Sequence, residues 1–349
     1  MDTMLEQIRS GDLPEKGNLA RLIASGKTDA GLRERAAFLA RAETERRFGD
    51  GIFIRGLIEF TNYCKNDCYY CGIRKSNRSA DRYRLTKEQT LACCAAGHEL
   101  GFRTFVLQGG EDAYFTDPVL ADWIASIKTA HPDCALTLSL GERSKESYEK
   151  LFAAGADRYL LRHETADRDH YATLHPSELT LAGRLQCLRD LRATGFQTGC
   201  GFMVGSPGQT AATLAEDILF LSRFKPEMVG IGPFIPHADT PFADEPAGGV
   251  EQTLFLLSLV RLLLPDVLLP ATTALGSLSG DGREQGILAG ANVVMPNLSP
   301  EDVRSKYMLY NNKLATAAEA AENLADLRRR LAAINRRIVV ARGDFEPSR

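Results

Sequence analysis

Residues 144–162 read SKESYEKLFAAGADRYLLR and contain the unit from which the fold can be predicted. Ser144 is a residue type that commonly caps helices, and an amphipathic helical pattern follows it from Lys145 to Ala154. Gly155 is the residue type that most often ends a helix, and the run Arg158–Arg162 that follows has the composition of a strand. This stretch therefore predicts a helix that is followed directly by a strand.

The same alternation extends over most of the chain. The predicted strands are Ile52–Phe60, Thr104–Gln108, Ala135–Leu140, Arg158–Arg162, Gln197–Val204, Met228–Gly232, Val267–Thr272 and Asn292–Met295. Helical patterns fill the gaps between them. Eight strands that alternate with helices are typical of the α/β class and of a closed (β/α)8 TIM barrel. An open doubly wound sheet usually has fewer strands and is the less favoured alternative.

The two ends of the chain differ from this repeat. Residues 1–50 are polar with helical periodicity, and we interpret them as an N-terminal helical leader. The run Leu314–Arg342 is rich in Ala, Leu, Glu and Arg, which favour helix, so residues 313–349 are predicted to form a C-terminal helical extension. The barrel itself is assigned to residues 51–312.

The composition argues against several classes of protein. With 42 Lys and Arg against 45 Asp and Glu, the net charge is −3, which gives no reason to expect nucleic acid. No apolar run approaches the roughly 20 residues of a membrane span, and the first residues lack the apolar core of a signal peptide. We therefore expect a cytoplasmic protein that binds neither nucleic acid nor membrane. Its eight cysteines are not expected to form a disulfide framework.

Three cysteines lie within eight residues of one another, directly after the first predicted strand. The run FTNYCKNDCYYCGIRKSN supplies Cys64, Cys68 and Cys71 in a C-x3-C-x2-C spacing. Thiolates are soft ligands for iron–sulfur clusters and zinc, but a structural zinc site needs four ligands and no fourth Cys or His lies nearby. A cluster with three protein ligands leaves one iron free to bind another molecule. A zinc site, or chance spacing, is the alternative.

This loop resembles the signature of the radical S-adenosylmethionine enzymes, and the segment TFVLQGGED resembles the Gly-Gly-Glu-like turn that this family has after its second strand. The resemblance implies one 4Fe–4S cluster held by the three cysteines, with S-adenosyl-L-methionine as the second cofactor. It implies reductive cleavage of S-adenosylmethionine to methionine and a 5′-deoxyadenosyl radical. It also implies cofactor-binding roles for Tyr70, Gln108, Gly109, Gly110, Glu111, Glu164 and Arg184.

Longer segments, among them CYYCGIRKSN, ADRYLLRHETA and GIGPFIPH, resemble the HydE-type maturases of FeFe hydrogenase over about residues 50–310. The resemblance implies a radical reaction on a small-molecule or organometallic substrate that carries iron, cysteine, CO and cyanide, alongside the other hydrogenase maturases. A mutase that acts on an amino acid, similar to methylornithine synthase, is the alternative enzyme. A non-catalytic iron–sulfur or zinc protein is the alternative of another class.

A substrate pocket is predicted at the mouth of the barrel. Arg158 and Arg162 lie on one face of the fourth strand, and a buried arginine needs a charged partner, so both are predicted to face an anionic substrate. Thr272 and Thr273 follow the seventh strand, and Tyr307 and Tyr310 match aromatic positions that close the cavity of the family. Many family members carry further C-terminal cysteines for a second cluster. Here no cysteine follows Cys200, so a single cluster is predicted.

Overall fold

The computed structural model describes residues 1–313 and 321–347, except for the side chain of residue 322. Its strands are β1 Gly51–Ile54, β2 Gly56–Thr61, β3 Thr104–Gly109, β4 Ala135–Ser139, β5 Arg158–Leu160, β6 Gln197–Cys200, β7 Met203–Val204, β8 Met228–Val229, β9 Gly232–Pro233, β10 Val293–Val294 and β11 Arg337–Val339. Its α-helices are α1 Asp2–Arg9, α2 Lys16–Thr28, α3 Ala30–Phe48, α4 Lys87–Glu99, α5 Asp117–Ala130, α6 Lys145–Ala153, α7 Arg168–Leu174, α8 Leu181–Thr194, α9 Ala211–Phe224, α10 Val250–Leu263, α11 Thr273–Leu278, α12 Gly282–Leu288, α13 Glu301–Arg304 and α14 Leu324–Ala333.

The strands form a closed parallel barrel. Six of them are hydrogen-bonded in the order β2-β3-β4-β5-β6-β8, and every pair in this sheet is parallel. Parallel bridges continue the sheet from Met228 to Leu268 and from Pro270 to Val293, and a last bridge from Asn297 to Leu57 returns to β2. The predicted (β/α)8 barrel is confirmed.

Several predicted strands are shorter or are divided in the structure. The first is split at Arg55 into β1 and β2, and Gln197–Val204 is split at Gly201 into β6 and β7. The seventh is present only as isolated bridges at Leu268 and Pro270, because proline has no N–H to donate to a ladder. The first and last residues of these strands therefore differ from the prediction, whereas the order of the strands around the barrel agrees with it.

The unit that predicted the fold forms as expected. The side chain of Ser144 accepts a hydrogen bond from the Ser147 backbone N–H, which satisfies a free donor at the start of α6. Gly155 has a φ of 112°, a conformation open to glycine but strained for other residues. The chain can therefore leave the helix abruptly and enter β5.

The N-terminal helices pack on the outside of the barrel. Helix α3 lies along α10, and α2 lies along α9. Their buried side chains, such as Leu22 and Ile23, belong to the same hydrophobic cluster as the barrel interior. The division into leader, barrel and extension stays a prediction. Within the described residues, no helix is both long enough and apolar enough to cross a membrane.

The C-terminal segment differs from the predicted helical extension. Residues 314–320 lie outside the described part of the chain, and the helix that follows, α14, ends at Ala333. The chain then forms β11, which pairs in parallel with β1. Beyond it, the Arg342 carbonyl oxygen accepts a hydrogen bond from Thr104 Oγ1 (2.7 Å), and Phe345 N–H donates to Gln197 Oε1 (3.0 Å). The tail therefore closes the N-terminal end of the barrel.

Candidate active site

A cavity of about 290 Å³ lies at the C-terminal ends of the barrel strands. All but two of the predicted site residues line it, namely Cys64, Cys68, Cys71, Tyr70, Gln108, Gly109, Gly110, Glu111, Arg162, Glu164, Arg184, Thr272, Tyr307 and Tyr310. They come from the loop after β2 and from segments far apart in sequence. The structure therefore brings the predicted cluster ligands and cofactor residues into one space.

The three cysteines lie on an irregular loop that other polar side chains hold in shape. The guanidinium of Arg82 donates to several carbonyl oxygens of this loop, including those of Ile73 (2.9 Å) and Arg74 (2.7 Å). The carboxylate of Asp67 accepts from Arg74 Nε (2.7 Å) and from the Ser76 N–H (3.0 Å). These bonds replace the helix or strand ladder that the loop lacks, and they keep the cysteines facing the cavity.

The cysteines are free and partly buried. Burial raises the pKa of all three thiols, that of Cys68 to about 12, so a positive metal centre is needed before they ionise. Among the described residues, only His98, Asp133 and Cys134 form a group of three ligand atoms that all lie within 4.8 Å of one another. The loop cysteines are therefore spread more widely than the ligands of a single ion, and a cluster suits them better than zinc.

The glycine segment at the end of β3 packs directly on the cysteine loop. A Cβ atom at Gly110 would lie 2.2 Å from the carbonyl oxygen of Tyr63 and 2.7 Å from Cys64 Cβ. The sequence predicts glycine here for close approach of a cofactor, and the structure adds close approach of the cysteine loop. Next to it, the carboxylate of Glu111 accepts the Glu142 N–H (2.8 Å) and lies 3.1 Å from Lys65 Nζ.

Tyr70 is oriented by a histidine that the sequence analysis did not identify. The Nδ1 atom of His175 lies 3.0 Å from the Tyr171 carbonyl oxygen, which can only accept, so this nitrogen carries the proton. The other ring nitrogen then accepts from the Tyr70 hydroxyl at 3.2 Å. Burial lowers the pKa of His175 to about 3, which keeps the ring neutral. His175 follows α7, a helix that showed no clear pattern in the sequence.

Arg162, Glu164 and Arg184 line one wall of the cavity, and the carboxylate of Glu142 pairs with Arg184. Arg184 is buried and donates to the Glu142 carboxylate and to the Arg162 carbonyl oxygen (2.7 Å). Nη2 of Arg162 lies 3.0 Å from Oε2 of Glu164, while its Nε has no hydrogen-bond partner among the described residues. Glu142 was missed, although it follows the third strand just where a barrel places functional residues.

The prediction for Arg158 was wrong. Its side chain is fully buried at the other end of the barrel, where it donates to Thr104 Oγ1 (3.1 Å), the Arg342 carbonyl oxygen (2.9 Å) and Asp344 Oδ1 (2.5 Å). Four residues along a strand share a face but span about 13 Å, so Arg158 and Arg162 face opposite ends of the barrel. Arg158 binds the C-terminal tail.

Thr273 is predicted beside Thr272 at the substrate pocket, and its role there stays a prediction. Thr273 is the first residue of α11 and lies outside the cavity lining, whereas Thr272 before it lines the cavity. Thr272 is the residue directly before α11, so the helix begins between the two threonines. The hydroxyl of Thr272 is buried and has no hydrogen-bond partner among the described residues.

Comparison with known proteins agrees with this geometry. A model of the Radical SAM superfamily matches residues 58–221, which include the cysteine loop. The [FeFe] hydrogenase maturase subunit HydE of Thermotoga maritima is 46% identical over 287 residues, covering 82% of this chain and 81% of that protein. The 3-methylornithine synthase of Methanosarcina barkeri is 29% identical over 285 residues, covering 81% and 80%.

Solved structures show the same architecture. A crystal structure of methylornithine synthase (PylB) superposes with a TM-score of 0.84 and 25% identity, covering 96% of this chain and 97% of that one. The maturase HydG from Carboxydothermus hydrogenoformans superposes with a TM-score of 0.75 at 18% identity, covering 93% and 77%, which shows the fold alone. From its identity to the Thermotoga protein and the matching superfamily model, the chain belongs to the HydE family of the radical SAM superfamily.

Proposed function

We propose that this chain binds one 4Fe–4S cluster through Cys64, Cys68 and Cys71 and cleaves S-adenosylmethionine reductively, as a maturase of FeFe hydrogenase. The proposal rests on one observation above all. The cysteine loop, the glycine segment Gly109–Glu111 and the charged wall around Arg184 line the same cavity. A protein that only stored a cluster or zinc would not need such a cavity beside it.

The donor set fits a cluster. Three soft sulfur ligands come from one loop, and the side of the loop that faces the cavity is open to a further ligand. When bound there, the cluster supplies the electron that cleaves S-adenosylmethionine to methionine and a 5′-deoxyadenosyl radical, with an external one-electron donor as the source. The remaining chemistry is binding and orientation by side chains of this chain.

The charges of the cavity wall complement the zwitterionic methionine end of S-adenosylmethionine. The guanidinium of Arg184 donates through Nε to Glu142 and through Nη1 to the Arg162 carbonyl oxygen, and its Nη2 can donate to the carboxylate of the methionine end. Glu164 offers an acceptor to the ammonium group or to the ribose hydroxyls. Tyr70 presents a half-buried ring beside Cys71, where it can pack on the adenine.

The substrate is proposed to bind deeper in the cavity, beside Arg162 and Thr272. Nε of Arg162 and the hydroxyl of Thr272 are buried donors without a partner among the described residues. A buried donor left unpaired is costly, so a negatively charged small molecule, organic or organometallic, would complement both. Tyr307 and Tyr310 line the same cavity. Work alongside the other hydrogenase maturases belongs to the same proposal.

A radical mutase that acts on an amino acid is the second candidate. The observation that favours it is the similarity to methylornithine synthase, which covers 96% of this chain in structure. The identity to 3-methylornithine synthase is 29%, against 46% to HydE over a similar length, which places the mutase second.

Anaerobic reconstitution tests the radical chemistry. The reconstituted protein should hold about four irons per chain and release 5′-deoxyadenosine from S-adenosylmethionine after reduction. Cys68→Ala should lose both. Cys187→Ala is the matched control, because Cys187 is also half-buried but lies on α8 outside the cavity lining. Tight zinc binding without 5′-deoxyadenosine would contradict the proposal. Complementation of a host that lacks its HydE then separates the maturase from the mutase.

A further inference from the structure

Glu164 lies at the centre of a strained turn that points into the cavity. It is a non-glycine residue with a φ of 65°, and the Thr165 N–H donates to the His163 carbonyl oxygen across it at 2.8 Å. This is a γ-turn with a left-handed central residue, a conformation that L-amino acids seldom adopt. Such strain persists where the surrounding structure enforces it, and it is commonly found at functional sites.

One carboxylate binds the chain on both sides of this turn. Oδ1 of Asp217, from α9, accepts the Ala166 backbone N–H at 2.6 Å and lies 3.2 Å from Nε2 of His163. Nδ1 of His163 accepts the Gly201 N–H at 3.3 Å, so the ring proton is on Nε2, which donates to Asp217. His163 and Asp217 are both fully inaccessible to solvent. A single oxygen therefore ties together residues three apart, with Glu164 between them.

Aromatic side chains surround this pair and shield it from water. The ring of Phe220 lies 4.7 Å from that of His163, and that of Phe202 lies 6.0 Å away. Burial lowers the pKa of His163 to about 3 and raises that of the Asp217 carboxyl, so the histidine stays neutral. Neither His163 nor Asp217 lines the cavity. The hydrogen bonds of Asp217 to His163 and Ala166, on the two sides of Glu164, therefore need another explanation.

We propose that Asp217 and His163 are positioning residues, which hold the strained turn and thereby keep the carboxylate of Glu164 aimed at S-adenosylmethionine. The Glu164 N–H also donates to the Gly201 carbonyl oxygen (3.0 Å) and its carbonyl oxygen accepts from the Met203 N–H (3.2 Å), so the Asp217 bonds add the restraint at His163 and Ala166 that fixes the strained φ between them. Without the Asp217 bonds, the backbone on either side of residue 164 can shift and relieve part of that strain. The side chain of Glu164 would then rotate away from Arg162 and out of the cavity. The inference rests on the proposed function, in which Glu164 contacts this cofactor.

The first test compares two substitutions of one residue in the reconstituted holoenzyme. Asp217→Asn keeps an amide oxygen that can accept both hydrogen bonds, so the Kd for S-adenosylmethionine should stay within about twofold of wild type. Asp217→Leu has similar volume but no acceptor, and its Kd and KM should rise about tenfold with less change in kcat. Iron content should be unchanged in both. Glu216→Gln is the control, because Glu216 lies on the same helix but pairs with Lys16 and Arg223 outside the cavity lining.

A purely structural role would lower stability without separating the two variants in cofactor affinity. The inference would be overturned if the Leu and Asn variants bound S-adenosylmethionine equally well, whether their affinity was that of wild type or was reduced by the same factor. If the wild-type holoenzyme does not bind S-adenosylmethionine at all, the proposed function fails instead. The two failures are therefore distinguishable.

A second test needs no cofactor and applies even if Asp217→Leu does not fold. Because glycine adopts a φ of 65° freely, Glu164→Gly should have a Tm roughly 2 °C above that of Glu164→Ala. In a His163→Leu background, which removes one of the two donors, this difference should shrink. An alanine variant as stable as the glycine variant would show that the turn is not held under strain, and would overturn the inference.

Discussion

Replacing Asp344 by asparagine should destabilise the protein without affecting the active site. The Asp344 carboxylate lies 2.5 Å from Nη2 of Arg158, whose side chain is fully buried under the barrel. Arg55 is a second buried arginine nearby, and its side chain donates among the described residues only to the sulfur of Met228 (3.1 Å). The negative charge of Asp344 also acts favourably on Arg55. Removing this carboxylate therefore leaves two buried cations without their compensating charge.

The magnitude follows from two independent estimates. Breaking a buried ion pair from one side costs about 3–5 kcal/mol, which is reduced here because Asp344 is 30% exposed and Arg158 keeps three other acceptors. Burial raises the pKa of Asp344, but hydrogen bonding to Arg342 (2.7 Å) and then the charge of Arg158 lower it to about 2. The fall from an ordinary value of 3.8 corresponds to at most about 2.4 kcal/mol, which the two arginines share, before discounting for solvent screening. Together they indicate a loss of about 2 kcal/mol.

Anaerobic thermal unfolding of the reconstituted protein measures this loss. A change of about 2 kcal/mol should lower Tm by roughly 3 °C at neutral pH. Because the folded-state pKa is depressed, the stabilisation is present above about pH 4 and disappears as the pH falls towards 2, so wild type and variant should converge in acid. Asp50→Asn removes an exposed ion pair with Arg337 in the same region, and should change Tm by less than about 1 °C.

Iron content and S-adenosylmethionine affinity of Asp344→Asn should equal those of wild type, because the cavity lies at the opposite end of the barrel. An unchanged Tm would refute the assignment of Arg158 as the anchor of the tail. A normal Tm with impaired turnover would indicate that Arg158 acts at the substrate site, as its position in the sequence predicts.

Two further predictions concern the cavity, and a third concerns the buried ion pair of Lys313 and Glu59. Gly110→Ala should displace the cysteine loop, because the new Cβ would lie 2.2 Å from a backbone oxygen. The iron content after reconstitution should then fall by at least about half. Gly17→Ala is the control, because its new Cβ meets open space and its iron content should equal that of wild type. Lys313→Met leaves the buried Glu59 carboxylate without its cation and should lower the free energy of unfolding by about 3 kcal/mol. Replacing Glu59 by glutamine in the same variant should restore part of this loss, and a Lys313→Met variant as stable as wild type would contradict the prediction. Tyr70→Phe removes one hydrogen bond from the Tyr70 ring and should weaken S-adenosylmethionine binding about fivefold, with the cluster intact; unchanged affinity would remove Tyr70 from the cofactor site.

The features that the sequence predicted well are local ones. The alternation of strand and helix, the glycine that ends α6 and the spacing of the three cysteines each depend on a few neighbouring residues. The position of the cysteine loop follows from the barrel rule that functional loops come after strands. Because Gly109–Glu111 follows the next strand, its closeness to that loop could be predicted as well.

What the sequence could not supply are contacts between segments that are distant along the chain. Asp217 lies 54 residues from His163, and Asp344 lies 186 residues from Arg158, so no spacing rule connects either pair. Glu142 and His175 sit on loops whose patterns carry no chemical signature. Each gains its role only because the barrel places it beside a site residue.

Residue types and their spacing thus determined that this chain forms a parallel barrel with the cysteine loop at its mouth. Tertiary structure decided which end of the barrel each buried charge faces. Arg158 begins β5 and Arg162 follows its last residue by two positions, yet one binds the C-terminal tail and the other lines the cavity. The physical reason is that local periodicity specifies which side of a strand a residue occupies, while its partner is set by closure of the whole barrel.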